Sequence, residues 1–135
     1  SGGLFRTLTA LVKQCTFENM KVDNPELFQL HADFCRTLAN AKRLMIMALL
    51  SDGERSVGDL AEAMDCALPT VSQHLTVLKS KHVVSARKEG QTVYYRVNDP
   101  RLMEACSLIR TVLLDGMRTR GEVAEQMDPS GLAPK

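Results

Sequence analysis

Residues 68–97, LPTVSQHLTVLKSKHVVSARKEGQTVYYRV, join a helical pattern to a hairpin pattern in one continuous stretch. Val71, Leu75 and Leu78 are spaced four and three residues apart, so they share one face of a predicted helix that Pro69 opens. The opposite face is able to form hydrogen bonds and holds Pro69, Gln73, Thr76 and Ser80.

The second part of this stretch predicts a β-hairpin. Two β-rich runs flank Glu89-Gly90-Gln91, where glycine supplies the positive φ that a short hairpin turn needs. The helix therefore leads directly into a hairpin.

Other segments of the chain also have helical spacing. Asn24-Pro25, Ser56 and Asp99-Pro100 are predicted helix starts. The expected helices are a first one that ends before Asn19 (with Leu4, Leu8, Leu11 and Cys15 on one face), 26–38, 41–50, 57–65 and one after Pro100 (with Leu102, Cys106, Ile109 and Leu113 on one face). Segment 41–50 is interpreted either as a third helix or as a buried continuation of the second.

Composition places the chain among ordinary globular domains. It has 135 residues, of which 44% are hydrophobic and 24% charged, enough for one domain with a modest core. No apolar run approaches a membrane span and no secretory signal is present, so a cytoplasmic protein is expected. Residues 1–3 are expected to be a remnant of cloning, 4–120 the folded domain, and 121–135 a flexible tail.

Charge is distributed unevenly although the net charge is only +1. Residues 51–65 hold five acids and one base, a local charge of −4, whereas residues 79–96 hold five bases and one acid, a local charge of +4. A basic patch confined to one element is typical of a surface that faces phosphate, although a solvated face is the alternative.

Two helices joined by a tight turn and followed by a basic hairpin predict a winged helix–turn–helix, a mainly α fold with a β-hairpin wing (α+β). Its second helix fits the DNA major groove, where Gln pairs with adenine and Ser, Thr and His meet base edges or phosphates. The candidate DNA contacts are Pro69, Thr70, Ser72, Gln73, His74, Thr76 and Lys79 on the helix, and Arg87, Lys88, Gln91 and Thr92 on the wing. His74 lies close to the apolar side, so packing is its alternative role, and Lys79 could be merely solvated.

Three motifs carry a family resemblance. FCRTLANAKRLMIMALL, 34–50, is similar to a segment of the form LADPxRLxIL; Ser72 to Leu75 match an SxHL-type recognition helix; Gly90 and Tyr94-Tyr95-Arg96 match a wing signature. From about His31 to Leu114 the chain resembles the ArsR/SmtB family of bacterial winged-helix repressors. The resemblance implies a homodimer, built mainly from the first and last helices, that represses an operator near its own gene until an inducer releases it.

Dimerisation is also expected from the residues themselves. The apolar faces of the terminal helices exceed what a core this small can cover, and a two-fold dimer would bury both. Two recognition helices would then read half-sites about one DNA turn apart, so an imperfect palindrome is the expected partner.

Neither of the two metal sites familiar in this family is expected. At the first, Ser56 and Gly58 stand where the family's segment ELCVCDL has its thiols. At the second, on the last helix, Asp99 and Asp115 keep carboxylates but both imidazoles are replaced, and Zn²⁺ prefers N and S ligands.

The cysteines lack C-x-x-C spacing, which disfavours a disulfide framework and a zinc ribbon. Cys15 and Cys106 occupy equivalent positions on the terminal helices, and Cys35 follows His31 by four residues, where an imidazole could lower a thiol pKa. Cys15, Cys35, Cys106 and His31 are therefore candidates for sensing As(III) or another soft metal, an oxidant or reactive sulfur. Packing in a core is the alternative, and it is favoured for Cys66.

The leading hypothesis is a DNA-binding transcriptional repressor. No cofactor is certain, and the one candidate cofactor is a metal or metalloid bound by thiols. The alternatives are a repressor without thiol or metal sensing, and a protein-interaction module that has kept the fold. A thiol enzyme is disfavoured because the chain has no nucleophile elbow, phosphate-cradling loop or convincing carboxylate pair.

Overall fold

The computed structural model describes residues 21–122 and 127–133, so the first expected helix, which ends before Asn19, lies outside the described residues. Contacts divide the chain into two units, residues 1–33 and 34–135. The described elements are α1 (Pro25–Leu38), α2 (Ala41–Leu49), a 3₁₀ turn (Leu50–Asp52), β1 (Arg55–Ser56), α3 (Val57–Met64), α4 (Leu68–Ser80), β2 (Val84–Glu89), β3 (Thr92–Val97) and α5 (Pro100–Thr119).

The helix starts predicted from the sequence are confirmed. Ser56 Oγ accepts a hydrogen bond from the Asp59 amide at 3.1 Å, and Asp99 Oδ1 accepts one from the Arg101 amide at 3.0 Å. Asn40 has an extended backbone and caps α2, so segment 41–50 is a separate helix and not a continuation of α1.

The core forms where α2, α3 and α4 meet the base of the wing. The apolar face predicted for α4 is confirmed, because Val71, Leu75 and Leu78 are fully buried. They pack in one cluster with Ile46, Met47, Leu50, Leu60, Ala61, Val83 and Val84. Burying one face of α4 leaves its polar face at the surface.

Two helices end at residues with a left-handed backbone. Asp65 (φ 49°) ends α3 and His82 (φ 59°) follows α4. At each end the next amide reaches back to a carbonyl five residues earlier, Cys66 to Ala61 at 3.0 Å and Val83 to Leu78 at 3.0 Å. This arrangement stops a helix and reverses the chain. It explains how α4 leads at once into β2.

The wing belongs to a three-stranded antiparallel sheet in the order β1-β3-β2. The predicted hairpin is confirmed, with Gly90 at φ 62° between β2 and β3. β1 was not predicted, since a strand of two residues shows no periodicity; its residues Arg55 and Ser56 pair with Tyr95 and Tyr94. β1 therefore ties the start of α3 to the wing.

The last helix is buried along only part of its predicted apolar face. On that face Cys106 is buried and Leu102 half-buried, whereas Ile109 is 67% and Leu113 57% exposed; Leu114, which was not predicted to lie on it, is buried. Within the described tail, Arg118 Nη2 donates to the Met127 carbonyl at 2.9 Å, and Arg110 Nε donates to the Pro129 carbonyl. Among the described helices, none combines the length and apolar character that a membrane crossing requires.

We predict that Leu75→Ala lowers the free energy of unfolding by about 2–5 kcal/mol, because it leaves a cavity where α4 packs on the core. Urea unfolding at one fixed protein concentration measures this, since oligomerisation makes stability depend on concentration. The exposed Gln73 on the same helix is the control, and Gln73→Ala is expected to change stability by about 0.5 kcal/mol or less. A loss below about 1 kcal/mol for Leu75→Ala would contradict this packing.

Candidate nucleic-acid interface

The recognition helix, α4, presents most of its predicted contact residues to solvent. Pro69, Gln73, Thr76 and Lys79 are exposed, and Thr70, Ser72 and His74 are half-buried. The Thr76 hydroxyl donates to the Ser72 carbonyl at 2.9 Å, which leaves its oxygen free to accept. The exposed Gln73 side chain can both donate and accept, as pairing with adenine requires.

His74 is held from outside its own helix. Its Nδ1 accepts a hydrogen bond from Arg43 Nε of α2 at 3.2 Å. The pKa of His74 is lowered from its ordinary value of 6.5, first by burial and then by the positive charges of Arg43 and Lys42. The imidazole is thus neutral at neutral pH. His74 is therefore half-buried and hydrogen-bonded to a neighbouring helix, and its DNA contact stays a prediction.

Arg87, on the wing, contacts two carboxylates and an aromatic ring. It forms a bidentate ion pair with Glu54, in which Nε lies 2.8 Å from Oε1, and its Nη1 lies 2.7 Å from Glu89 Oε2. The guanidinium carbon also lies 4.7 Å from the centroid of the Tyr94 ring. The hairpin is therefore fastened to the residue that precedes β1.

This ion pair shifts the pKa values of both partners in the directions that favour charge. Hydrogen bonding to Arg87 is the main cause that lowers the pKa of Glu54 from 4.5, and hydrogen bonds to Glu54 and Glu89 raise the pKa of Arg87. Both side chains remain partly exposed, so solvent weakens their attraction.

Arg87 still has donors available for DNA. A guanidinium has five N–H donors. Three of them bond to Glu54 and Glu89, so two N–H groups have no acceptor among the described residues. The other predicted wing contacts are exposed side chains at or beside the hairpin turn: Lys88, Gln91 and Thr92.

The candidate thiols differ in exposure. Cys35, on α1, is exposed, whereas Cys106, on α5, is 6% exposed. Burial is the main cause that raises the pKa of Cys106; Arg110 opposes it and the nearby Cys35 adds to it. Cys66 is half-buried against the core, with Sγ 3.4 Å from the Met64 carbonyl oxygen. Cys15 lies outside the described residues.

His31 is exposed on α1. No group of three or more His, Cys, Asp or Glu side chains gathers within residues 21–122 and 127–133. The expectation that both familiar metal sites are missing rests on the replaced ligands and stays a prediction.

Two residues at this surface were missed by sequence reasoning. Arg43 bonds to His74 across 31 positions of sequence, and Glu54 bonds to Arg87 across 33. Arg43 stands at the arginine of the LADPxRLxIL-like segment, a signal that could have singled it out. Glu54 lies in the acidic run, where composition does not distinguish it from its neighbours.

We predict that Glu54 titrates below 4.5 and that Arg87→Ala raises its pKa towards 4.5, because the guanidinium stabilises the carboxylate. An NMR pH titration of the side-chain carboxyl carbons measures both values. Lys88→Ala is the matched control, since it removes a neighbouring wing cation that makes no described hydrogen bond to Glu54. An unchanged Glu54 pKa in Arg87→Ala would show that the ion pair does not form in solution.

Comparisons with known proteins agree with this fold. Residues 40–86 match the model of the family described as "Bacterial regulatory protein, arsR family". The uncharacterised HTH-type transcriptional regulator Rv0081 of Mycobacterium tuberculosis is 34% identical over 114 residues, which cover 83% of this chain and 99% of that protein.

Solved structures of other proteins also resemble this chain. The NMR structure of the homodimeric winged helix–turn–helix DNA-binding domain Mb0332 from Mycobacterium bovis has a TM-score of 0.64 at 33% identity, over 75% of this chain and 94% of that one. Reduced HlyU from Vibrio cholerae has a TM-score of 0.60 at 30% identity, over 67% and 97%. The similarity to Rv0081 extends over nearly all of that regulator, so the chain belongs to the arsR family of bacterial regulatory proteins and is a winged helix–turn–helix transcriptional regulator.

Proposed function

We propose that the protein is a homodimeric repressor that binds an imperfectly palindromic DNA operator and that thiol chemistry releases it. The single observation that carries DNA binding is the polar face of α4, which the buried apolar face of the same helix holds at the surface. The basic wing lies next in sequence and supplies cations for the phosphates.

The two parts of this surface have different tasks. Gln73 reads base edges in the major groove, with Ser72, His74 and Thr76 beside it on α4. Lys79, Lys88 and the two remaining N–H groups of Arg87 contact phosphate, as Gln91 and Thr92 do with neutral donors. Sequence preference would then arise from α4 and general affinity from the cations.

Exposed apolar side chains support the dimer. On α1, Leu27, Phe28 and Leu30 are each more than half exposed; on α5 the same holds for Leu108, Ile109, Val112 and Leu113. Faces of this kind at the surface of one chain mark an interface. Mb0332, which shares this fold, is described as homodimeric. Two-fold pairing would place two recognition helices on half-sites about one DNA turn apart.

DNA binding predicts that affinity for a duplex falls steeply with salt, because phosphate contacts release counterions. Binding should be measured on a duplex that the protein itself selects from a randomised pool, and on a random duplex. A protein-interaction module that has kept the fold would instead show no salt-dependent preference for any duplex. Repression and activation are separated by the sign of the effect on a reporter that carries the selected site.

We predict that Gln73→Ala weakens binding to the selected duplex by about 1–3 kcal/mol and binding to random duplex much less, because it removes a base contact. Arg87→Ala should weaken both evenly, because phosphates are the same in every sequence. Titrations of each variant against both duplexes measure this.

Arg101→Ala is the matched control for Arg87→Ala, since Arg101 is also an exposed arginine paired with a carboxylate, that of Asp99, but lies outside α4 and the wing. It is expected to bind both duplexes as the unmodified protein does. Equal losses on both duplexes for Gln73→Ala and Arg87→Ala alike would contradict this division of the surface.

The proposal of thiol sensing rests on the pair Cys35 and Cys106. The two thiols lie near enough for the charge of Cys35 to raise the pKa of Cys106. Cys35 is exposed and accessible to a reagent, whereas Cys106 stays a buried, protonated thiol at neutral pH. The exposed thiol would therefore react first and the buried one second.

Peroxide would oxidise the two thiols in two steps. The Cys35 thiolate attacks one peroxide oxygen, which gives a sulfenic acid and releases hydroxide, protonated to water; the Cys106 sulfur then displaces a second water and forms a disulfide. The peroxide accepts the two electrons. As(III) would instead bind the same two sulfurs as ligands. A reactive sulfur species would transfer a sulfur atom to one of them.

We predict that Cys35→Ser and Cys106→Ser keep DNA binding but lose release by the effective reagent, because each removes one of the two sulfurs. Hydrogen peroxide, sodium arsenite and a persulfide donor should be tested in separate fluorescence-anisotropy assays. Cys66→Ser is the control and should release as the unmodified protein does. Unchanged release from a protein without any of the four cysteines would leave a repressor without thiol sensing.

A further inference from the structure

Arg43, in α2, forms hydrogen bonds to both α1 and α4. Its Nε donates to His74 Nδ1 of the recognition helix at 3.2 Å, and its Nη1 donates to the Thr37 carbonyl in the last turn of α1 at 3.0 Å. Its own backbone is fixed as well, because the Arg43 amide donates to the Asn40 side chain at 3.2 Å. Arg43 is thus held both at its backbone and at its guanidinium group.

This contact permits only one protonation form of His74. Arginine has donors and no acceptor, so Nδ1 must offer a lone pair to it. A neutral imidazole with that lone pair carries its hydrogen on Nε2. An imidazolium would instead point an N–H at the N–H of Arg43 and add a second positive charge beside it.

The surroundings of His74 favour the same form. Arg43 and Lys42, both in the first turn of α2, are the charged groups that act on it, and burial disfavours the imidazolium further. Nε2 makes no hydrogen bond to any residue in the described part of the chain. It is therefore an unused N–H donor on the recognition helix.

We propose that Arg43 is a positioning residue that fixes His74 as the Nε2-protonated neutral imidazole, so that α4 offers DNA one defined N–H donor at this position. The proposal rests on the DNA-binding role given above for α4. A donor of this kind pairs with guanine O6 or N7, adenine N7, thymine O4 or a phosphate oxygen, and it rejects the amino groups of adenine and cytosine. Arg43 would thereby influence which sequence is bound without contacting it.

The first test reads the imidazole itself. ¹⁵N NMR of the full chain, with His74 assigned by its loss in His74→Gln, should show one neutral tautomer with hydrogen on Nε2 and a pKa below 6.5. In Arg43→Met the neutral form should become a mixture of tautomers and the pKa should rise.

Lys42→Met is the matched control, because it removes the neighbouring positive charge but no hydrogen bond to His74. It should raise the pKa and leave the tautomer unchanged. Arg43→Lys keeps the charge, the aliphatic stem and a terminal group that donates but does not accept. It should therefore restore the Nε2-protonated form that Arg43→Met loses, which distinguishes loss of the contact from a folding defect. Nitrogen shifts in Arg43→Met identical to those of the unmodified protein would overturn the proposal.

The second test reads DNA binding through a double-mutant cycle. On the selected duplex, Arg43→Met and His74→Ala should each weaken binding about 2- to 12-fold, the range of one hydrogen bond. The double variant should lose no more than His74→Ala alone, because Arg43 acts through His74. Additive losses would overturn the proposal.

Duplexes changed at single base pairs identify the acceptor. If the loss of affinity is confined to one base pair, the acceptor is a base edge. If the loss of affinity is equal on every duplex, the acceptor is a phosphate. Both results support a defined donor. If the unmodified protein prefers no duplex at all, the DNA-binding proposal fails, whereas the nitrogen spectra still decide whether Arg43 holds His74.

Discussion

The candidate nucleic-acid interface depends on the burial of one face of the recognition helix, α4. Val71, Leu75 and Leu78 have no exposed surface, so α4 cannot roll about its axis without bringing apolar groups into water. A roll of one residue, about 100°, would also bury polar side chains without partners. The packing that stabilises the domain thus determines which side chains can face DNA.

The backbone at the ends of α3 and α4 then determines the direction in which the chain continues after each helix. Asp65 and His82 both adopt a left-handed backbone, which costs little for Asp and His compared with β-branched residues. The Asn98 side chain donates to the His82 carbonyl at 2.7 Å and so ties the end of α4 to the end of the wing. Helix and hairpin are joined by hydrogen bonds as well as by the core.

Local patterns were sufficient to predict these elements. The spacing of apolar residues gave the buried face of α4, and Gly90 marked the hairpin turn, because both signals arise within a few neighbouring residues. β1 escaped detection since its strand character arises only from pairing with β3, about 40 residues later in the chain. Arg43–His74 and Glu54–Arg87 escaped for the same reason: each pair exists only after the chain has folded.

These two distant pairs also change how the charges of the surface are understood. Glu54 belongs to an acidic run of the sequence and Arg87 to a basic one, yet the fold puts them in contact, so the wing has less unpaired positive charge than its composition indicates. Arg43 has the opposite character, because its acceptors are a neutral imidazole and a carbonyl, and none of the described residues pairs its charge with a carboxylate. A guanidinium is planar, so its two hydrogen bonds cannot adjust independently. A displacement of the Thr37 carbonyl, two residues after Cys35, would therefore change the hydrogen-bond geometry of a guanidinium that also contacts His74.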